Sequence, residues 1–246
     1  MKFTAVDIGN TAIKIVNIKD NESCVCAAMP TSIAEAVSIC RDEGGEDIAF
    51  CTTRELTGEE CERIKEAGWW EFNSNRLSPV KINYQTPGTL GADRIAGVLG
   101  AKRFFPGVGL MVADVGTALT LDILTAPGEF VGGNISPGIQ MRLDALHKFT
   151  SRLPQVEWSS MDMKFGTDTR SALICGATWG LITEIAGCFE LARKQYGLRL
   201  LVLTGGGSKL IERNLKESYT SEINIEYIPD LVSFGIMEAY YHDKKN

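Results

Sequence analysis

Histidine is nearly absent from this chain: only His147 and His242 occur in 246 residues. The seven cysteines, Cys24, Cys26, Cys40, Cys51, Cys61, Cys175 and Cys188, are scattered and odd in number. They form no CxxC pair facing a second pair or two histidines at zinc spacing, so a Cys/His metal site has few candidates. Reduced thiols packed as small apolar groups are the expectation, and Cys24 and Cys26, on one face of an expected strand, suit it. A basic excess is missing too. The formal net charge of -6 argues against a nucleic-acid-binding surface, and no helix-turn-helix extension is present. No run approaches the roughly 18 apolar residues of a membrane span, and no charged-then-apolar leader opens the chain. A cytoplasmic protein is expected. Neither GxGxxG nor GxxxxGK[ST] occurs, which leaves the dinucleotide fold and the Walker-type loop unsupported.

What is present begins with Val6-Asp7-Ile8-Gly9-Asn10-Thr11-Ala12-Ile13-Lys14. Apolar strand-like residues flank it on both sides, so only a tight turn fits between. Glycine with small hydroxyl and amide neighbours exposes backbone N–H groups that cradle phosphate, and an Asp at the strand end can hold a metal or its water beside that phosphate. Alone this is a weak signal, since decorated hairpins are common. An echo strengthens it: Asp114-Val115-Gly116-Thr117-Ala118-Leu119-Thr120 follows a second apolar run. The interval is nearly half the chain, so a duplicated α/β unit is expected, with lobes at 1–107 and 108–246 and the last helix able to pack back on the first. A composition of 44% hydrophobic and 23% charged residues suits such a globular chain.

Along the chain, residues 2–28 read as three strands. A helix follows from Ile33 to about Gly44, then a short strand at Ile48–Cys51. Thr57 with Glu60 three residues later is a capping-box pattern, opening a helix that ends near Gly68. Val80–Ile82 is strand-like, a loop carries Tyr84, Pro87 and Gly88, and a helix runs from Ala92 through Phe104. After the second hairpin, Gly132–Gly138 reads as a glycine-rich loop and the next helix turns Ile139, Leu143 and Leu146 inward. Residues 171–195 form the longest helical stretch, with Gly176, Gly180 and Gly187 allowing close packing. Leu200–Leu203 is a buried strand running into Thr204-Gly205-Gly206-Gly207, and helices near 208–218 and 231–242 complete the chain.

Each candidate has a bland reading beside the chemical one. Lys14 on a strand is ordinarily a solvated charge, and alternating threonines such as Thr120 are ordinary β-formers. The three glycines after a buried strand make either a ligand-facing helix N-terminus or simply a tight turn. Gly91-Ala92-Asp93-Arg94 opens a helix, where Asp is either a cap or a base. As a base, Asp93 takes a proton from a substrate hydroxyl, kept ionised by the helix dipole, while Arg94 binds an acid group. The residues leave both readings open.

Taken in order, these motifs resemble type III pantothenate kinases, of the acetate kinase, sugar kinase, Hsp70 and actin superfamily. The likeness runs from Asp7 to the last helix: Asp7–Thr11 and Asp114–Thr120 resemble the two phosphate motifs, Tyr84 with Gly91–Arg94 the substrate segment, Gly132–Gly138 with Ala145-Leu146 the dimer segment, and Thr204–Gly207 the adenosine motif. The resemblance implies duplicated ribonuclease H-like lobes of mixed sheets flanked by helices, with a nucleotide cleft between them. It implies phosphorylation of pantothenate by ATP, with Asp93 as proton acceptor. Asp7, Ile8, Gly9, Asn10, Thr11, Ala12, Ile13, Lys14 and Thr117 become ATP contacts, and Tyr84, Gly91, Ala92, Asp93, Arg94 and Thr169 substrate contacts. Asp7 is implied near magnesium, directly or through water, and Asp114 as ligand of a monovalent cation, potassium or ammonium. At Gly166-Thr167-Asp168-Thr169 the chain departs from the family, which has Asn before the Thr. A homodimer is implied by the resemblance alone. The alternatives are a kinase for another small hydroxy acid and a non-catalytic nucleotide-binding accessory or regulatory protein.

Overall fold

A computed structural model describes residues 2–19, 23–43, 45–76, 78–160, 162–219 and 223–245, without the side chains of 23–27, so those of Cys24 and Cys26 lie outside the described residues. The chain divides into two compact units: 1–107 with 127–132 and 230–246, and 108–126 with 133–229. The division is therefore not a single cut near residue 107.

In the first unit, β1 (Lys2–Ile8) and β2 (Ile13–Lys19) form an antiparallel hairpin, and β3 (Ser23–Ala28) pairs with β2. Helix α1 (Ile33–Glu43) starts where Ser32 Oγ accepts the Glu35 N–H at 3.2 Å. Strand β4 (Asp47–Thr52) then pairs parallel to β1. Helix α2 (Gly58–Glu66) has the expected capping box: Thr57 Oγ1 accepts from Glu60 N–H, and Glu60 accepts from Thr57 N–H. After it β5 (Trp70–Glu71) extends the sheet, giving the order β3-β2-β1-β4-β5. The two-residue β6 (Lys81–Ile82) and a single turn at Pro87–Thr89 lead to α3 (Ala92–Phe104). Val6, Ile8, Ile13, Ile15, Phe50 and Ile64 are among the residues closing this core.

In the second unit, β7 (Leu110–Val115) and β8 (Ala118–Leu124) repeat the hairpin, and β9 (Glu129–Pro137) starts in the first unit and belongs to the second from Gly133 onward. The stretch Gly132–Gly138 is thus mostly strand rather than loop. Its glycines are there for backbone approach: a Cβ on Gly133 would collide with the Leu121 carbonyl oxygen, and Gly132 has φ +114°. Helix α4 (Ile139–Phe149) buries Ile139 and Leu143, but Leu146 faces outward. Helix α5 (Thr169–Tyr196) is the spine of the unit, burying Leu181, Ile182 and Ile185. Gly176 and Gly187 lie on its exposed side with nothing within 4 Å of an added Cβ, so they do not mark close packing among the described residues. By length and composition α5 could cross a membrane, where the sequence showed no such run; 56% of its most apolar window is buried in the protein. Strand β10 (Leu200–Thr204) lies parallel to β7, α6 (Ser208–Tyr219) follows, and β11 (Ile225–Tyr227) pairs with β10.

Helix α7 (Leu231–Asp243) returns to the first unit. It meets α3 at backbone contact: a Cβ on Gly235 would collide with the Ala96 carbonyl oxygen, and one on Gly100 with that of Leu231. Tyr240 packs on Phe3 of β1, ring centres 5.4 Å apart, and its hydroxyl donates to Asp47 at 2.5 Å. The helix carrying Asp93 is thereby locked to the sheet carrying Asp7.

Candidate active site

Asp7 interrupts the buried run of β1 just before the turn. The turn closes when Gly9 N–H donates to Ala12 O at 2.9 Å, leaving Asn10, Thr11 and Ala12 exposed. Strand register sets the neighbours of Asp7: Lys14 across β2, and Cys51 across β4. The Cys51 thiol, itself fully buried, donates to Asp7 Oδ1 at 3.7 Å. Burial, and then the charge of Asp93, push the Asp7 carboxyl up to about 6, against the opposing Cys51 hydrogen bond and Lys14 charge. Lys14 forms an ion pair with Asp230, a residue with φ +60° at the entry to α7. The lysine is thus a structured cation beside Asp7 rather than a merely solvated one.

Asp93 sits in the first turn of α3, whose N-cap is Gly91 and lacks any side-chain cap. The Asp93 carboxylate lies over Gly91 so closely that a Cβ there would strike Oδ1. Burial raises its pKa, opposed by the Arg94 N–H and the Arg94 charge. The helix N-terminus therefore does not hold Asp93 below its ordinary value, as the dipole argument expects; desolvation outweighs it. The first unit consequently presents two partly buried carboxylates, with the charge of Asp93 acting on Asp7. That is an energetically costly arrangement which a bound cation would relieve. Among the described residues no three His, Cys, Asp or Glu cluster as a metal cage.

Arg94, only 6% exposed, lies beside two aromatic rings: its guanidinium carbon is 5.9 Å from the centre of Tyr84 and 5.8 Å from that of Phe130. Asp7, Lys14, Tyr84, Asp93 and Arg94 all belong to the first unit.

Asp114, Thr117 and Thr169 belong to the second. Asp114 ends β7 as Asp7 ends β1, opposite Thr120. Gly205, with φ +89°, brings the turn after β10 onto it: a Cβ there would collide with Asp114 Oδ1. Gly207 N–H donates to Val115 O at 3.1 Å. The Thr204–Gly207 glycines thus seat the start of α6 against the second hairpin. Thr117 is exposed at that hairpin's tip. Thr169 is the exposed first residue of α5, and Asp168 is its N-cap. The Asp168 carboxylate accepts from Ser171 N–H at 3.0 Å and Ser171 Oγ–H at 2.6 Å, which hold its pKa below the usual range. Asp168 thus serves as the cap of α5.

Sequence reasoning missed three participants. Cys51 looked like packing, and only the β1–β4 register puts it on Asp7. Asp230 had a faint signal, a Pro-Asp pair just before an apolar helix. Phe130 had none.

The repeated hairpins, each with an acid at its strand end, and the glycine turn behind the second place the chain in the sugar kinase, Hsp70 and actin class of two-lobed folds. Solved structures agree on the fold. A ROK family glucokinase from Streptomyces griseus, in complex with glucose and AMPPNP, aligns over all of both chains at TM-score 0.55 with 11% identity. A Campylobacter jejuni protein described as a candidate Baf family transcriptional activator aligns over 99% of this chain and 100% of its own, at 0.61 with 21% identity. The type III pantothenate kinase profile matches residues 3–191. Type III pantothenate kinases of Porphyromonas gingivalis W83 and Azobacteroides pseudotrichonymphae are each 33% identical, the first over 94% of both chains, the second over 99% of this chain and 98% of its own. The chain belongs to the type III pantothenate kinase family.

Proposed function

We propose that this chain transfers the γ-phosphoryl group of ATP to the primary hydroxyl of pantothenate, giving 4′-phosphopantothenate for coenzyme A synthesis, with Asp93 as the general base. The observation that carries the assignment of the base is Asp93 itself, a carboxylate of raised pKa on a locked helix in the same unit as Asp7. A carboxylate shifted upward accepts a proton more readily than an ordinary surface acid. Phosphoryl transfer otherwise asks for alignment and charge neutralisation. Asp93 orients the hydroxyl and takes its proton, while Arg94 receives the substrate's carboxylate and Tyr84, Gly91, Ala92 and Thr169 line its path. The N–H groups of the Asp7–Lys14 turn, with Thr117, hold the phosphates. Asp7 would hold magnesium, directly or through water, and Asp114 the monovalent cation. Magnesium supplies neutralisation of the phosphate oxygens.

The protein works as a cytoplasmic homodimer. Support comes from the family resemblance, and the second unit offers exposed apolar side chains that a partner could cover, Ile135, Leu146, Phe149 and Leu191. The test of the function is a coupled kinase assay with pantothenate, with and without potassium or ammonium. Asp93→Asn should lose roughly 10²–10⁴-fold in kcat while keeping its circular dichroism. Wild-type turnover by that variant, or equal rates across a panel of hydroxy acids, would refute the base or the substrate respectively.

A further inference from the structure

The surroundings of Arg94 come from three separate segments. Arg94 is on α3, Tyr84 on the loop after β6, and Phe130 on β9. The β6–β9 register pairs Ile82 with Phe130, and Asn83 N–H donates to Phe130 O at 2.8 Å. Tyr84 and Phe130 meet edge to face with ring centres 6.0 Å apart. Gly132, at φ +114°, brings the β9 backbone under Tyr84, whose ring atoms stand 3.8 Å from where a Cβ would be. Phe130 is 0% exposed and Arg94 6%. A guanidinium held away from water needs compensation, and ring faces within about 6 Å supply it with a direction, because attraction depends on where the charge stands over the ring. An aliphatic side chain of similar size would fill the same space without that preference.

We propose that Phe130 is a positioning residue for substrate selection: together with Tyr84 it forms an aromatic clamp that aims the Arg94 guanidinium at the substrate's carboxylate. This rests on the reading of Arg94 as the acid-binding group. Phe130 acts through Arg94, and its contribution is selectivity for an acid over the same molecule without one.

The test compares kcat/KM for pantothenate and for pantothenyl alcohol, in which the carboxylate is replaced by a hydroxymethyl group, using the full chain with magnesium and potassium. Wild type prefers the acid. Phe130→Leu lowers that preference about tenfold, through KM for pantothenate, and Tyr84→Leu does the same. Tyr84→Phe, which keeps the ring, keeps the preference. Arg94→Gln separates the clamp from the reading beneath it. If Arg94→Gln abolishes the preference and both Leu variants leave it intact, the clamp is wrong and the role of Arg94 stands. If Arg94→Gln preserves the preference, the carboxylate assignment falls and takes the clamp with it. Equal losses on both substrates in the Leu variants, with a shifted acid limb of kcat, would assign Arg94 to Asp93 and overturn the proposal. Should Phe130→Leu fail to fold, Phe130→Met, closer to phenylalanine in volume but without the ring, decides instead.

Discussion

Asp7→Asn should stabilise the metal-free protein while removing its activity. The folded chain holds the Asp7 carboxyl at about 6 against an ordinary 3.8, through burial first and Asp93 second. Each pH unit of such displacement is worth about 1.4 kcal/mol, so at pH 7.5 the ionised group costs the fold at most about 3 kcal/mol. Asp7 retains some solvent contact, which brings the expected gain to about 1–3 kcal/mol. The sign follows from linkage: between pH 4 and 6 the folded state binds more protons than the unfolded one, so the cost is absent below about pH 4 and complete above about pH 6. Asn keeps an oxygen that can accept from Cys51 and carries no charge. The assay is urea unfolding of both proteins in EDTA at pH 7.5 and pH 4.5. At about 3 kcal/mol per molar urea, the midpoint should rise by about 0.3–1 M at pH 7.5 and by clearly less at pH 4.5. A lower midpoint at pH 7.5, or an equal gain at both pH values, would refute the reasoning. Activity and stability are opposed here because a binding site for cations must be uncomfortable without them.

Two further perturbations address the second unit. Gly205→Ala forces an L side chain into φ +89° and against Asp114 Oδ1 and the Val115 carbonyl; the backbone conformation alone costs about 1–2 kcal/mol and the collision adds to it, so the variant should unfold at lower urea and lose activation by potassium or ammonium, and unchanged activation would sever Asp114 from the cation. Gly176→Ala meets open space on α5 and should add about 1 kcal/mol of helix stability, read as a higher urea midpoint; an unchanged or lower midpoint would refute the open surroundings.

Much of the local order was readable in the residues. The Asp7 and Asp114 hairpins, the Thr57–Glu60 capping box and the Ala92–Phe104 helix each rest on neighbours a few positions apart, and each is where the sequence puts it. Glycine was the unreliable sign. Gly132 and Gly133 read as a loop because glycine breaks strands on average, yet here they let two backbones touch inside a sheet. Gly176 and Gly187 read as packing contacts, yet they face outward.

By itself the sequence determined the order of elements, the repeated acid-ended turns and the residue types available for phosphoryl transfer, since periodicity, capping and turn chemistry act within a few residues. Tertiary structure decided what those acids experience. Asp7 meets Cys51 only through the β1–β4 register, 44 residues apart along the chain, and Asp93 bears on Asp7 because its helix packs on α7 and on β4, both of which lie against β1. Arg94 finds Phe130 only where β9 folds back beside β6. Burial and charge fall off with distance in space rather than along the chain, so the pKa values and the aromatic clamp belong to the fold.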